Sequence, residues 1–454
     1  MEPSATNADG GEEAVSGHRL AAAAGGGVRG RSRTFAALSS RSYRWFWTSL
    51  LLYFMAMQMS QVARSFLAYD ITGKATALGF VSVAWGIPMS LCSPLGGVIA
   101  DRVDKRKLLL VTQSFITFFY LVMAVLVHAG VIEIWHLVVI SFFQGIVWAF
   151  NMPARQALVP ELVGQGEPLM NALALNSGAM NATRIIGPSL AGGLIALPWF
   201  GMTGTFYTVV ALDTAVLFAL RKIESPGAAR RQAARPFWEE MTVGARYILN
   251  YWSLVVLMLM AFVVVLVGMS YFVLLPVFAG EKIYDVGSFG FGMMNTFVGI
   301  GAIMGSLLMA RISGYPHRSA LQLLVGIGFG VGLLLFGIAP VFALALVTLA
   351  LVGFMSTSYA TLNNTLIFAH TEREFTGRVM SVYTLTWSLQ PIAIMPLSAT
   401  ADLVGARPVM VAIGLFIASF VTLVAVLYPG YRRIGSPAAI ALERAGAVEA
   451  APGE

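Results

Sequence analysis

The sequence predicts an all-α membrane protein of twelve transmembrane helices in two pseudo-symmetric halves, and three observations predict it. Of 454 residues, 57% are hydrophobic and only 11% charged, with a mean hydropathy of +0.77, far from the balance of a soluble domain. Apolar runs of the ~20 residues needed to cross ~30 Å of hydrocarbon recur along the chain. Segments separated by a nearly constant interval also resemble one another.

Taken in order, residues 1–40 are rich in Ala, Gly, Ser and Arg and lack an apolar core adequate for a cleavable signal. They are expected to form a disordered cytoplasmic tail. Spans at 45–68, 76–100, 107–128, 134–153, 169–197 and 203–220 form a first half over 41–222. A linker follows over 223–248. In RPFWEEMTVGARYIL, Phe237, Trp238, Met241, Ala245 and Ile248 share one helical face, while Glu239, Glu240 and Arg246 can stay in water. That pattern predicts a helix lying on the membrane surface. Spans at 252–279, 287–310, 319–338, 341–362, 377–401 and 407–428 form a second half over 249–430, and 431–454 is a second tail. The runs are continuous rather than alternating, which excludes a barrel. A single cysteine, Cys92, excludes an intrachain disulfide and any cysteine-based metal motif.

Basic residues set the orientation. An even number of spans puts both termini on one side, and that side carries 24 of the 29 Lys and Arg residues, Arg155 among them. The opposite loops hold Lys74, Lys282 and Arg407. The termini are therefore expected to be cytoplasmic. The net charge of +7 reads as topology rather than nucleic-acid binding. Arg64 and Arg184 remain, both inside spans.

The repeat is visible where GVIADRVDKRKLLLVTQ aligns with SLLMARISGYPHRSALQ. Arg102 then matches Arg311, Val103 matches Ile312 and Gln113 matches Gln322, at an offset of 209. LMNALAL at 169 aligns with VMSVYTL at 379. A constant offset over separate segments points to duplication of a six-helix unit.

Gly97, Asp101, Arg102, Lys105 and Arg106 resemble the motif G-x-x-x-D-[RK]-x-G-[RK]-[RK] that joins the second and third helices of the major facilitator superfamily. NMPARQALVPELV, RIIGPSLAGG, ALDTAVLF and GRVMSVYTL are similar to the branch that contains enterobactin exporters and macrolide efflux proteins. The resemblance covers residues 41–428. Asp104 stands where the wider superfamily has Gly, and Ala310 replaces the motif's Asp in the second half. The resemblance implies a conformational latch of Gly97, Asp101, Arg102 and Arg106, with Asp101 facing the N-terminus of span eleven at Thr376, Gly377 and Arg378. Gln144 and Gly145 fit an R-x-x-Q-G pattern in span four, but Ser141 occupies the Arg position; Arg184 is a candidate to compensate. Gly187, Pro188 and Gly192 approximate an antiporter packing motif, whose small residues let helices approach closely.

Ionisable groups in hydrocarbon normally face a cavity or a partner. Arg64 lies six residues from Asp70, or about 9 Å below the outer surface, and Arg184 is expected at a similar depth. Gln58, Gln61 and Arg64 form one polar stripe, and Ser177, Asn181 and Arg184 another. Both arginines are candidates to line one outer-half cavity for anionic or oxygen-rich substrate groups; the bland alternative is bonding to backbone carbonyls. Asp213 in span six is a candidate proton carrier, with a structural hydrogen bond as the alternative. Tyr383, Trp387 and Gln390 offer an aromatic and amide wall, although such stripes more often serve helix packing.

The expectation is a secondary active exporter of a small organic molecule, siderophore or drug-like, working by proton antiport and alternating access, monomeric, and resident in a bacterial inner membrane. A lipid or lysophospholipid flippase, or a non-transporting receptor or scaffold on the same fold, are the alternatives. An enzyme is not expected, nor a cofactor or metal: His128, Glu133 and His136 are the nearest approach to a cluster.

Overall fold

The computed structural model describes residues 37–164, 166–224, 237–280, 282–312, 315, 317–372 and 374–433. Among them the regular elements are all helical. The first half consists of α1 (Arg41–Thr72), α2 (Ala75–Arg102), α3 (Lys105–His128), α4 (Ile134–Val163), α5 (Glu167–Ala196) and α6 (Gly201–Arg221). The linker helix is α7 (Phe237–Asn250). The second half holds α8 (Trp252–Ala279), α9 (Gly287–Arg311), α10 (Arg318–Ile338), α11 (Phe342–His370), α12 (Thr376–Ser388), α13 (Gln390–Val404) and α14 (Ala406–Leu427).

Nine helices among the described residues are long and apolar enough to cross a membrane. The other three expected spans miss that standard for visible reasons. Helices α1 and α5 have ample length, 32 and 30 residues, but carry the polar stripes. Span eleven is broken at Leu389 into α12 and α13. Pro391, with no N–H to donate, begins the second piece rather than continuing the first.

Local chemistry sets the boundaries. Ser40 accepts from the Tyr43 N–H to start α1, and Gly73, at φ 61°, ends it. Asp104 accepts from the Lys107 N–H and caps α3. The departure from the superfamily's Gly thus supplies a helix start. Helix α8 widens by one turn at Val264–Gly268.

Packing repeats between the halves. In the first, α2 lies on α4, α3 on α4 and α6, and α1 on α5 and α6; in the second, α9 lies on α11, and α10 on α11 and α14. The repeat extends to the glycines that permit the crossings. A Cβ at Gly96 would come 2.0 Å from the Ala149 carbonyl oxygen, and one at Gly301 1.9 Å from that of Ala350. The reciprocal positions, Gly145 and Gly353, abut the Trp85 and Val298 carbonyls. Gly301→Ala is therefore expected to push α9 off α11 and lower stability by about 1–3 kcal/mol. A melting temperature of the detergent-solubilised variant equal to that of the parent would contradict this.

One expectation needs correction. Helix α4 continues to Val163 rather than ending at 153, so Arg155 is no loop cation: it is 1% exposed inside the first half. Helix α7, the expected surface helix, packs on the second half. Gly244 sits against the Arg378 backbone, the Tyr247 ring stacks on Phe375 with centroids 4.4 Å apart, and the Glu372 N–H donates to the Tyr247 hydroxyl. These contacts fasten α7 to the turn between α11 and α12. The side chains of Phe237, Trp238, Glu239 and Glu240 lie outside the described residues, as do those of Asp101 and Trp387.

Candidate functional site

The polar residues of the first half fall into two places. Toward the outer half, Arg64 leaves α1 in the direction of α4, where its Nη1 donates to Gln144 Oε1 at 2.8 Å and to Ser141 Oγ at 3.3 Å. Tyr120 of α3 lies within electrostatic reach of the same guanidinium. Among the described residues, Arg64 Nε and Gln144 Nε2 have no acceptor, and both atoms are shielded from solvent. Buried N–H groups without acceptors cost about 1–3 kcal/mol each. A ligand bearing oxygen acceptors would relieve that cost.

Nearer the inner end is a second layer, sealed from solvent. Arg155 donates from Nε to Asn151 Oδ1 and from Nη2 to Gln113 Oε1, at 2.8 and 2.7 Å, and its guanidinium lies 4.1 Å from the Tyr53 ring centroid. Gln113 Nε2 then donates to Asp213 Oδ1 at 2.7 Å, and the Thr117 hydroxyl to Asp213 Oδ2 at 3.2 Å. Asn151 Nδ2 donates to Thr112 Oγ1. The layer joins α1, α3, α4 and α6. Arg155 fixes which way the Gln113 amide points, because only its oxygen can accept from a guanidinium.

The second half has a counterpart. Gln322, the repeat partner of Gln113, donates to Asn363 Oδ1 at 2.7 Å and accepts from the Tyr431 hydroxyl at 2.6 Å. Tyr431 stands just past α14 and is fully buried. Burial raises its pKa, so the hydroxyl keeps its proton and donates. A neutral layer closed by the segment just after α14 thus replaces the charged one.

Between the halves, α2 packs on α13 and α5 on α9. Gly187 abuts Gln58 of α1, and Gly192 abuts the Ser288 carbonyl and Gly292 of α9, while Pro188 offers its carbonyl to the Gly292 face. Ser177, Asn181, Arg184 and Pro188 form the stripe of α5 that lies between these two contact faces. Arg184 is exposed there and within electrostatic reach of Tyr271 on α8.

Residues 32–428 match the profile of the transmembrane secretion effector family. The chain belongs to that family. Among proteins similar to this transmembrane secretion effector, the staphyloferrin A transporter of Staphylococcus aureus is 25% identical over 80% of this chain and 90% of its own. Macrolide efflux protein A of Streptococcus pyogenes is 23% identical over 79% and 89%. The nucleoside transporter NupG superposes with a TM-score of 0.65 at 10% identity, covering 86% of this chain and 99% of its own. The fold is that of the major facilitator superfamily, and the protein is a multi-pass membrane transporter rather than an enzyme.

Placed in the secretion effector, the expected site residues part company. Gln58 touches α5 at Gly187, whereas Arg64 turns to α4. That contact also sets the register of α1 against α5: Arg64 lies six residues outward of it and Arg184 three residues inward. The two arginines are thus separated by roughly 13 Å along the bundle rather than sharing a depth. The cation at the Ser141 position comes from Arg64, not from Arg184. Among the described residues, the hydrogen bonds of Arg106 run to α6 rather than to span eleven: its Nη2 donates to the Arg221 carbonyl at 2.7 Å and its Nε to that of Leu220, closing the end of α6. Lys105, 5% exposed, pairs with Glu161 of α4 at 2.6 Å. Gln61 and Asn181 are half-buried on their own helices, and Ser177 turns back to the Leu173 carbonyl. Tyr383 is buried within the second half and Gln390 starts α13. Gly97 has open space about its Cα, as has Gly377.

Sequence reading missed Arg155 because the Pro153 and Pro160 that flank it look like the end of a span. The Gln113 to Gln322 match was the signal that a layer runs through that depth.

Proposed function

We propose that this secretion effector exports a small organic molecule bearing oxygen acceptors, a siderophore or a drug-like compound, by alternating access of two six-span halves. The observation that carries the reading is the pair of buried, acceptorless donors on Arg64 and Gln144, set in a wall that also holds Ser141 and Tyr120. Arg184, with Asn181 and Ser177, offers a second polar patch further inward. Gln58 and Gln61 lie between the two. The names of the relatives support export of such compounds, and the excess of Lys and Arg on one side supports cytoplasmic termini in a bacterial inner membrane. The chain works as a monomer in this reading, since each half finds its partner within it. To Asp101, Arg102 and the α12 N-terminus at Gly377 and Arg378 we assign closure of the inner side, and to Tyr383, Trp387 and Gln390 the substrate contacts of the second half once it opens.

Proton antiport is the drive we assign, with Asp213 as the group that exchanges the proton. A proton on Asp213 Oδ2 requires only that the Thr117 hydroxyl turn from donor to acceptor, leaving the Arg155 and Gln113 links intact. In inverted vesicles supplied with staphyloferrin A or a macrolide, collapse of the pH gradient is expected to abolish uphill transport. Asp213→Asn should then lose uphill transport while keeping downhill exchange. Unchanged transport in a collapsed gradient would remove the proton from the cycle; unchanged pH dependence in Asp213→Asn would return Asp213 to a structural role.

A further inference from the structure

Helix α2 takes its cap from the other half of the chain. Its N-cap is Lys74, whose side chain has no acceptor and makes no capping bond. Neighbouring α1, α3 and α4 cap themselves with Ser40, Asp104 and Glu133. The first amides of α2 are satisfied from the other half of the protein. Asp402, near the end of α13, accepts from the Ala75 N–H through Oδ1 at 2.6 Å and from the Thr76 N–H through Oδ2 at 2.8 Å, and takes the Thr76 hydroxyl as well.

This contact is the outermost rung of an antiparallel seam with constant register. Ala75 meets Asp402, Gly79 meets Ser398 at 3.2 Å from an added Cβ, and Gly86 meets Pro391 so closely that a Cβ would lie 2.1 Å from its ring. Each step along α2 is matched by one step back along α13. Continuing the register along α2 to Asp101 leads to Thr376, the first residue of α12. An acidic residue therefore stands near the C-terminal end of α2 and of α13, level in this register with the positively polarised start of α12 and of α2 respectively.

The geometry points to Asp402 as an outer latch: a carboxylate of the second half that holds the outer side shut by capping a first-half helix that cannot cap itself. Opening outward requires α2 and α13 to part at this end, which exposes the amides of Ala75 and Thr76. Asp402 then has partners on its own half, because a cavity of about 340 Å³ beside it is lined by Lys282 and Arg407. Those two cations make the broken state tolerable for the carboxylate and the latch reversible. The inference rests on the transport reading only for its purpose; the latch itself is a property of the two halves.

The test uses the full chain in liposomes, with Cys92→Ser and spin labels on Val131→Cys and Val341→Cys, exposed outer positions on the two halves. Without any substrate, Asp402→Ala is expected to raise the population with the longer outer separation by roughly tenfold, the weight of one charge-assisted helix cap. Lys74→Ser supplies α2 with its own cap. In the Asp402→Ala background it should restore thermal stability while the longer separation persists. Return of the short separation on adding Lys74→Ser would make Asp402 a helix cap and nothing more, and an unchanged distance distribution in Asp402→Ala would overturn the latch. Because the distances are read without transport, a protein that moved no tested compound would defeat the export reading and leave this result standing.

Discussion

Arg155→Ala is expected to remove most folded protein from the membrane fraction. The substitution takes a fully buried guanidinium out of a layer in which Asn151 Oδ1, Gln113 Oε1 and the Tyr53 ring all face it. It leaves Asp213 buried with no cation in the layer. Breaking such an arrangement from one side costs about 3–5 kcal/mol, a large part of the stability of an ordinary domain. Asp213→Asn should cost less, since the Asn oxygen still accepts from Gln113 and its NH2 can donate to the Thr117 hydroxyl. Combining Asp213→Asn with Arg155→Met should recover much of the loss, because a neutral, filled layer no longer strands a charge. The measurement is the thermal melt of each solubilised variant by size exclusion. A shift for Arg155→Ala of less than about 2 °C would mean the layer carries little stability.

Arg64→Ala is the substitution expected to damage transport most without unfolding the protein. Arg64 is half-buried, and its loss strands no charge, because the Gln144 side-chain oxygen and the Ser141 hydroxyl that it leaves are neutral. What disappears is the charged donor for a substrate acceptor, worth ten- to a hundredfold in transport rate by the usual strength of hydrogen bonds to charged groups, about 1.5–3 kcal/mol. Arg64→Lys should fall between, keeping the charge but losing Nε, the donor left for a substrate acceptor. Arg184→Ala, in the separate inward patch, should act independently, so the double variant should show the product of the two losses. Vesicle transport of staphyloferrin A and of a macrolide reads all four. Wild-type rates for Arg64→Ala at equal protein level would move the substrate site elsewhere, and a double variant no worse than Arg64→Ala would put the two arginines back in one site.

Much of this protein was legible in its sequence for a simple reason: in lipid every backbone polar group must be satisfied within its own helix, so length and hydropathy alone locate most spans. The duplication also survived in the sequence, where Gln113 and Gln322 each sit at the centre of a buried polar layer of their own half. Lateral neighbours were not legible. Arg64 and Arg184 each ended a polar stripe of similar spacing, yet one meets α4 and the other lies between α1 and α9. Periodicity gives the angle of a residue about its own axis but not which helix waits at that angle, nor the relative height of two helices of unequal length. Arg155 was hidden by its prolines, which a helix can accommodate when neighbours hold it. Asp402 was hidden because its partner is 327 residues away and consists of backbone amides, which leave no trace in composition. Hydropathy therefore determined that the chain spans a membrane and roughly where, whereas only the packing of one half on the other decided which polar groups meet.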